Sequence, residues 1–385
     1  MRSDLLVLAP HWGGHFAEFT RWIVSAGVAR GHALALAASP DLLASAPDLW
    51  DLGAVVHPVG QAGRGGAKPT VRETREMLAS AARLAPATRT LHTYLDHALV
   101  PLALPSPGLV PPHLAGLLFR APFRVADPFA SLARQTARRV LLRRLARGPV
   151  RTILTLDQAV VAPLRRLGAR ADWLPDPAVV DAAPPSAREA VRAEYGVEAG
   201  RTLAVLFGSL EERKGVHALA AALLRLDASA AQRLAVLIVG RSADATRPGL
   251  LAAIARVDAE TKVQIVLRDG FIPDDDLSSL TAAADIILAP YVRHVGSSGV
   301  VVRAAAAGVP LLGQDGGQMG REIRQHGLGR TVDPLDTPAL ARGLAEMIDG
   351  GTAFDAARAR AYAEAHRVDR FTDKLYDILL PRQAS

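Results

Sequence analysis

Short apolar runs, each stopped by glycine, proline or a charged residue, alternate along the chain with stretches in which apolar side chains recur at helical spacing. Residues 5–9 are apolar throughout and predict a buried strand. Pro10-His11-Trp12-Gly13-Gly14 turns the chain, and 15–30 carries Phe16, Phe19, Ile23 and Val24 on one helical face. Gly31 ends that helix and 32–38 predicts the next strand. Strand, glycine turn, helix and strand in that order imply a parallel sheet. The rhythm continues with strands at 54–58, at a run ending in Tyr94-Leu95-Asp96, and at 116–119, 152–156 and 172–174. A helix is expected near 71–84, and 101–112, rich in proline, reads as irregular.

A second series follows. Strands are expected at 203–207, 235–239, 263–267 and 285–289, and a helix from Gly215 to about 226. Gly296-Ser297-Ser298-Gly299 opens a helix over 300–307, which Gly308 and Pro310 close. Helices near 336–349, 353–366 and 368–380 end the chain. The pattern predicts an α/β protein of two doubly wound Rossmann-like domains facing each other across a cleft. Their expected bounds are 1–177, on the acceptor side, and 187–365, on the nucleotide side. A proline-bearing linker at 178–186 joins them, and the helix from 366 to 385 packs back on the first domain.

With 385 residues, half of them hydrophobic, each domain can bury a core. No apolar run is long enough to span a bilayer, and the first strand is too short for a signal peptide. Cysteine is absent, which excludes a disulfide framework and thiolate metal sites. The expected setting is the cytoplasm of a bacterium, at most peripheral to its membrane. The formal net charge is +7, but only four of the 45 basic residues are lysine. That excess of arginine, with the abundance of alanine, reads as the coding bias of a GC-rich genome. It weakens any inference from overall charge to a nucleic-acid partner, and no aromatic-interleaved basic motif appears. One local cluster stands out. Residues 134–151 hold seven arginines and no acid. Helical spacing turns Leu132, Val140, Leu141 and Leu145 inward and the arginines outward. That face is a solvated basic surface or a weak contact for an anionic membrane.

The densest chemistry lies between Ala289 and Glu322. Glycines and serines ahead of a helix leave bare N–H groups, the positive end of the helix dipole and two hydroxyls, which suits a phosphate. Ser297 or Ser298 as a simple helix cap is the competing reading. Asp274-Asp275-Asp276 follows Pro273 at a helix start, where acids favour the dipole, so they read as capping rather than metal-binding. No metal is expected.

Three segments taken together resemble the GT-B-fold glycosyltransferases, specifically glycosyltransferase family 4. They are FGSLEERKGVHALAAAL at 207–223, LRDGFIPDDDLSSLTAAADIILAP at 267–290 and HVGSSGVVVRAAAAGVPLLGQDGGQMGREI at 294–323. LPDP at 174–177 and the Gly13-Gly14 turn fit the same pattern. The resemblance implies transfer of a sugar from a nucleotide diphosphate sugar to a hydroxyl or amine of a small metabolite or glycan, with retention. The nucleotide sugar is then a co-substrate and no further cofactor is needed. Lys214 matches the family's diphosphate-binding lysine. The resemblance makes donor-site candidates of Gly13, Gly14, Ser209, Arg213, Lys214, Gly240, Arg241, Ile272, His294, Gly296, Ser297, Ser298, Gly299, Arg303, Asp315 and Gly316. Glu322 matches an acid of the family, with helix structure as its other reading. In the first domain His15, Asp96, Arg120 and Asp157 stand at expected strand ends. His15, Asp96 and Arg120 are taken for the acceptor, and Asp96 joins His294 and Lys214 as a catalytic candidate.

Two departures bear on this. The family's paired glutamates fall at Val295 and Arg303, and Ser209 stands where many relatives carry arginine. Arg303 is left with two readings, one facing the phosphates in place of the missing arginine and one pointing to solvent. The alternatives are a degenerate GT-B protein that binds nucleotide without transferring sugar, and a GT-B-fold epimerase.

Overall fold

The computed structural model describes residues 3–381 apart from 12–14, 64–68, 85–88, 105–109, 112, 124–126, 129, 149, 181–186, 271 and 352, with backbone alone at His15, Ala187, Asp274 and Asp275. The chain divides into two compact units, Met1–Pro175 with Val368–Ser385, and Asp176–Arg367.

In the first unit the strands are β1 (Leu5–Ala9), β2 (Leu34–Ala38), β3 (Val55–Pro58), β4 (Arg89–His92), β5 (Leu114–Leu118), β6 (Val150–Thr155) and β7 (Ala171–Trp173). All neighbours pair in parallel, in the order β3-β2-β1-β4-β5-β6-β7. Side chains alternate between the faces. Leu6 and Leu8 enter one core layer, and Leu5, Val7 and Ala9 the other. Both faces are covered, which is why these strands read as unbroken apolar runs.

The run expected to continue through Asp96 stops at His92, and Leu95–His97 is a 3-10 turn. Side chains replace the ladder there. The Tyr94 N–H donates to His92 Nδ1 (3.2 Å), and the Asp96 carboxylate takes the N–H groups of Phe119 and Arg120. Part of the segment expected to be irregular is a short helix, Leu99–Ala103, with Pro101 in its first turn, where no backbone N–H is required.

Helix α1 (His15–Ala29) packs on the sheet beside the C-terminal helix, Val368–Leu379. Phe371, Leu375, Tyr376 and Leu379 share a core layer with Phe19 and Ile23. The Tyr376 hydroxyl donates to Ile23 O at 2.6 Å. Gly27 makes this approach possible, because a Cβ there would lie 2.1 Å from that hydroxyl.

Helix α2 (Leu132–Arg147) corrects the expected orientation of the arginine cluster. Gln135, Leu142 and Leu145 are buried, whereas Leu132 is 75% exposed and Val140 55%. At about 100° per residue, Leu132 and Val140 fall on the face away from Leu142 and Leu145. Two arginines turn inward. Arg138 bonds Asp96 (3.1 Å) and Arg120 O (2.8 Å), and Arg139 bonds Pro122 O (2.9 Å). Arg134, Arg143, Arg144, Arg147 and Arg151 remain exposed, with no ion pair among the described residues.

The second unit holds β8 (Thr202–Phe207), β9 (Leu234–Val239), β10 (Gln264–Arg268), β11 (Ile286–Ala289), β12 (Leu311–Gln314) and β13 (Gly329–Val332). They form a parallel sheet ordered β10-β9-β8-β11-β12-β13. Leu203, Val205 and Phe207 face one core layer, Ala204 and Leu206 the other. The site is framed by α3 (Gly299–Ala307), α4 (Gly317–His326) and α5 (Ala356–Ala365). Ala178 forms a bridge with Arg367, and its N–H bonds His366 O at 3.0 Å. The first residues expected as linker thus pair within the second unit, and 181–186 lie outside the described residues.

Replacing Phe371, fully buried between the C-terminal helix and α1, by alanine should cost about 3–5 kcal/mol. A urea titration followed by far-UV circular dichroism checks this through a lowered midpoint for the first unit.

Candidate functional site

In the second sheet the strand order reverses between β8 and β11. Loops leaving the carboxyl ends of strands at such a reversal open a crevice for ligands. Three backbone contacts build it. A Cβ on Gly240 (φ 149°) would lie 1.9 Å from Gly208 O, so the loops after β8 and β9 meet backbone to backbone. A Cβ on Gly215 (φ 74°) would lie 1.9 Å from Pro290 O, which joins the loops after β8 and β11. The Val292 N–H donates to Arg213 O at 2.8 Å and closes that seam.

Lys214 ends the 3-10 turn Glu212–Lys214 and is buried, 6% exposed. Its ammonium donates to Phe207 O (3.2 Å) and to the Tyr291 hydroxyl, and stands 4.3 Å above the Tyr291 ring. Two of its three N–H bonds are thereby accounted for among the described residues, and one remains to give. Ser209 is exposed and Arg213 partly so. Both hold Glu211, through Ser209 Oγ (3.3 Å) and Arg213 Nε (2.7 Å). Ser209 and Arg213 thus form the rim, with Lys214 beneath.

The turn from His294 to Gly299 is fixed by Gln314, a buried residue at the end of β12. Gln314 Oε1 accepts the His294 N–H at 3.0 Å, while Nε2 donates to the carbonyls of His294 and Gly316. His294 was expected to do chemistry. Its Nε2 lies 2.9 Å from Ser297 O, and a carbonyl only accepts, so Nε2 carries a proton and staples the turn. Ser298 occupies the cap position of α3 without a capping side-chain bond. The Ser297 hydroxyl instead bonds the Asp176 carboxyl. The simple-cap reading of these serines therefore fails, and no serine side chain covers the first N–H groups of α3. A Cβ on Gly299 would enter open space. Arg303 lies one turn further along α3 and is partly buried.

Sequence reasoning gave Asp176 no role, and it is buried (8% exposed). Burial pushes its pKa up to about 6, partly offset by the Ser297 bond. Close by, Tyr362 on α5 donates to Glu322 Oε2 (2.9 Å), and Gln318 donates to Glu322 Oε1 (2.8 Å). Burial first, then Glu322 and Asp176, hold the Tyr362 phenol well above its usual range. Glu322 thus braces α4 against α5, its structural reading. The signal for Asp176 was present: a lone acid between two prolines in an apolar segment.

The remaining donor-site candidates scatter around this centre. Arg241 is exposed on the loop after β9, and Leu210 N–H donates to its carbonyl (2.9 Å). Ser242 fastens that loop to Asp269 by N–H (3.0 Å) and Oγ (2.6 Å), holding the Asp269 carboxyl below its usual range. Ile272 packs against the core cluster. Asp315 is exposed, and Gly316 caps α4. Gly296 lies within the turn. Gly13 and Gly14 lie outside the described residues, as do the side chains of His15, Asp274 and Asp275. Among the described residues, no three histidine or acidic side chains converge to hold a metal ion.

In the first unit the structure corrects Asp96 as catalytic base. Its carboxylate is taken up by two backbone N–H groups (2.8 and 2.9 Å) and Arg138. Arg120 is exposed, and its backbone is part of that clamp. Asp157 caps a 3-10 turn through the Ala159 N–H. What stands beside the clamp is a histidine pair the sequence reading passed over. His97 Nδ1 and His11 Nε2 are 3.1 Å apart, edge-on to Tyr94. His92 lies beneath, its pKa lowered to about 3 by burial, with a smaller contribution from His97.

Residues 201–350 match the family model described as glycosyl transferases group 1. That match lies wholly within the second unit. A D-inositol 3-phosphate glycosyltransferase of Nocardia farcinica is 30% identical over 186 residues, which cover 46% of this chain and 40% of that protein. The chain thus spans about two fifths of the length of that curated relative. Among solved structures, Anabaena HepE in complex with UDP aligns with a TM-score of 0.72 at 18% identity, over 98% of this chain and 99% of that one. Sucrose-phosphate synthase of Thermosynechococcus elongatus aligns at 0.73 and 16%, over 98% of each chain. At these identities the likeness carries the fold, and that fold is GT-B. Within the matched residues, Lys214 and the turn before α3 both stand at the topological reversal.

Replacing Gln314 by leucine removes three hydrogen bonds and leaves buried backbone groups unsatisfied. The expected loss is about 2–4 kcal/mol. Hydrogen exchange checks the location, with faster exchange at residues 294–298 ahead of the rest of the unit.

Proposed function

We propose that the protein is a glycosyltransferase that moves a sugar from a nucleotide diphosphate sugar to a hydroxyl or amine, with retention and without a metal ion. The observation that carries this reading is the convergence, at the strand reversal, of a buried lysine with an N–H to spare and a helix start whose cap residue, Ser298, makes no capping side-chain bond. Lys214 and the N–H groups opening α3 supply the positive charge that a departing diphosphate needs as the glycosidic bond breaks. His294 and Asp96 are both held in structural bonds, which favours a path in which the leaving phosphate itself accepts the acceptor's proton. Solved HepE complexes contain UDP and UDP-glucose, so uridine nucleotides are the first to test. The replacement of paired acids by Val295 and Arg303 favours a second reading, a nucleotide-binding protein without transfer.

The test is a thermal-shift panel of UDP, GDP, ADP and dTDP, followed by product analysis with the matching nucleotide sugar. A ligand at 100 times its dissociation constant stabilises by about 2.7 kcal/mol. Transfer to an acceptor establishes the enzyme, and binding without turnover moves the second reading forward. Lys214→Ala should weaken binding of the selected diphosphate by about 1.5–3 kcal/mol, roughly ten- to 150-fold, by isothermal calorimetry.

The outer face of α2 adds a location to this reading. Leu132 and Val140 are exposed on it, and Arg143, Arg144 and Arg147 follow, which suits an anionic bilayer more than nucleic acid. Sedimentation with vesicles containing phosphatidylglycerol should recover the protein at low salt, and vesicles of phosphatidylcholine alone should not. Reversing the three arginines to glutamate should abolish that recovery.

A further inference from the structure

Lys214 is a buried cation that no carboxylate pairs with among the described residues. Its partners are two neutral oxygens, Phe207 O at 3.2 Å and the Tyr291 hydroxyl. The residue before it shows the other arrangement. Arg213 is ion-paired with Glu211 at 2.7 Å, and its charge is largely cancelled at the rim. A cation taken out of water is costly to keep, and a carboxylate is the usual relief. Neutral oxygens solvate the ammonium and leave its charge uncancelled. Tyr291 is 1% exposed and follows Pro290 at the end of β11. An ammonium only donates, so the phenol oxygen accepts from it. The ring of the same side chain meets His294 edge-on, with centroids 5.3 Å apart. One residue therefore touches both the lysine from the loop after β8 and the histidine that staples the turn before α3.

We propose that Tyr291 is a positioning residue that fixes the direction in which Lys214 donates to a diphosphate, without reducing the lysine's charge. The inference rests on the reading of Lys214 as a diphosphate ligand. The three N–H bonds of an ammonium stand at fixed angles to one another. With one held by Phe207 O and a second by the Tyr291 hydroxyl, rotation about the Cε–Nζ bond is blocked, and the third N–H has a single direction. The backbone passes close by: a Cβ on Gly208 would lie 3.0 Å from Nζ, so the ammonium has little room to shift. A carboxylate in place of the phenol would hold the ammonium as firmly, but would neutralise the charge that attracts an anion.

Removing the hydroxyl alone leaves the ring against His294 and the lysine bond to Phe207 O. The ammonium can then turn about that single bond. Its approach to a phosphate oxygen costs rotational freedom that the wild type has already given up. The expected loss in diphosphate affinity is about three- to tenfold, the size of one neutral hydrogen bond. The effect passes wholly through Lys214, so it should vanish once the lysine is gone.

The experiment measures affinity for UDP, and for GDP, ADP and dTDP in turn, by calorimetry in the wild type, Tyr291→Phe, Lys214→Ala and the double variant. Tyr291→Phe is expected to weaken binding by about three- to tenfold, and the double variant to bind no more weakly than Lys214→Ala alone. Wild-type affinity in Tyr291→Phe overturns the proposal. So does a comparable further loss in the Lys214→Ala background, which would mean that the tyrosine acts on the site without the lysine. Either result leaves the diphosphate site standing. Wild-type affinity in Lys214→Ala, or no binding of any of the four diphosphates, overturns this inference and the diphosphate site together. A spectroscopic readout separates positioning from packing. The chain has four lysines, so protein labelled at its lysine Nζ atoms gives few ammonium signals by NMR. The Lys214 signal, identified by its loss in Lys214→Ala, is expected to be slowed in proton exchange by its two bonds and to shift when the diphosphate binds. In Tyr291→Phe it should broaden. A wild-type Lys214 ammonium that exchanges as fast as that of exposed Lys262 overturns the proposal even if the phenylalanine variant does not fold.

Discussion

The second unit depends on backbone segments that approach more closely than a side chain permits. Gly240 against Gly208, Gly215 against Pro290 and Gly317 against His294 each leave no room for a Cβ. Positive φ angles at Gly208, Gly215, Gly240 and Gly317 let the chain turn sharply enough to make these contacts. The result is a junction of loops that meet backbone to backbone. Peptide groups are polar, fixed and already oriented, so they solvate an anion with little reorganisation. Lys214 fits the same logic. Its ammonium is wedged under Gly208 and against Tyr291, where a longer or forked cation would not pack.

Much of this was legible from local pattern. Apolar runs with glycine at their ends mark parallel strands buried on both faces, and the order of turns in 207–323 marks the crevice. The helix 71–84 and the three closing helices were placed within a few residues. What the sequence hid were partnerships between residues far apart along the chain. Asp96 looks like a strand-end acid until Arg138 and two distant N–H groups are seen to hold it. Gln314 reads as part of a loop motif, although its amide spans two loops. In α2 the charge pattern is nearly uniform around the helix, so periodicity failed to separate the inward Arg138 and Arg139 from the outward arginines. Leu132 and Val140 went the wrong way for the same reason: a few apolar residues among many arginines define no clear stripe.

At the two positions where the resemblance implied paired glutamates, the turn and α3 carry Val295 and Arg303. Asp176 is buried in the same unit, its pKa raised by that burial, and Glu322 braces α4 against α5.

The first unit is built from two pieces of chain separated by the whole of the second. Its sheet is translated first, yet the helix that covers Phe19 and Ile23 follows the whole of the second unit along the chain. Until then α1 and the adjacent sheet face expose apolar surface, with Gly27 holding a slot for a tyrosine not yet synthesised. Domains usually fold in the order in which they emerge. Here the order is inverted: the second unit can complete its core first, and the first waits for Val368–Leu379 to emerge. A ribosome that stalls or terminates shortly before Val368 would therefore release a chain whose late-made half is finished and whose early-made half is not.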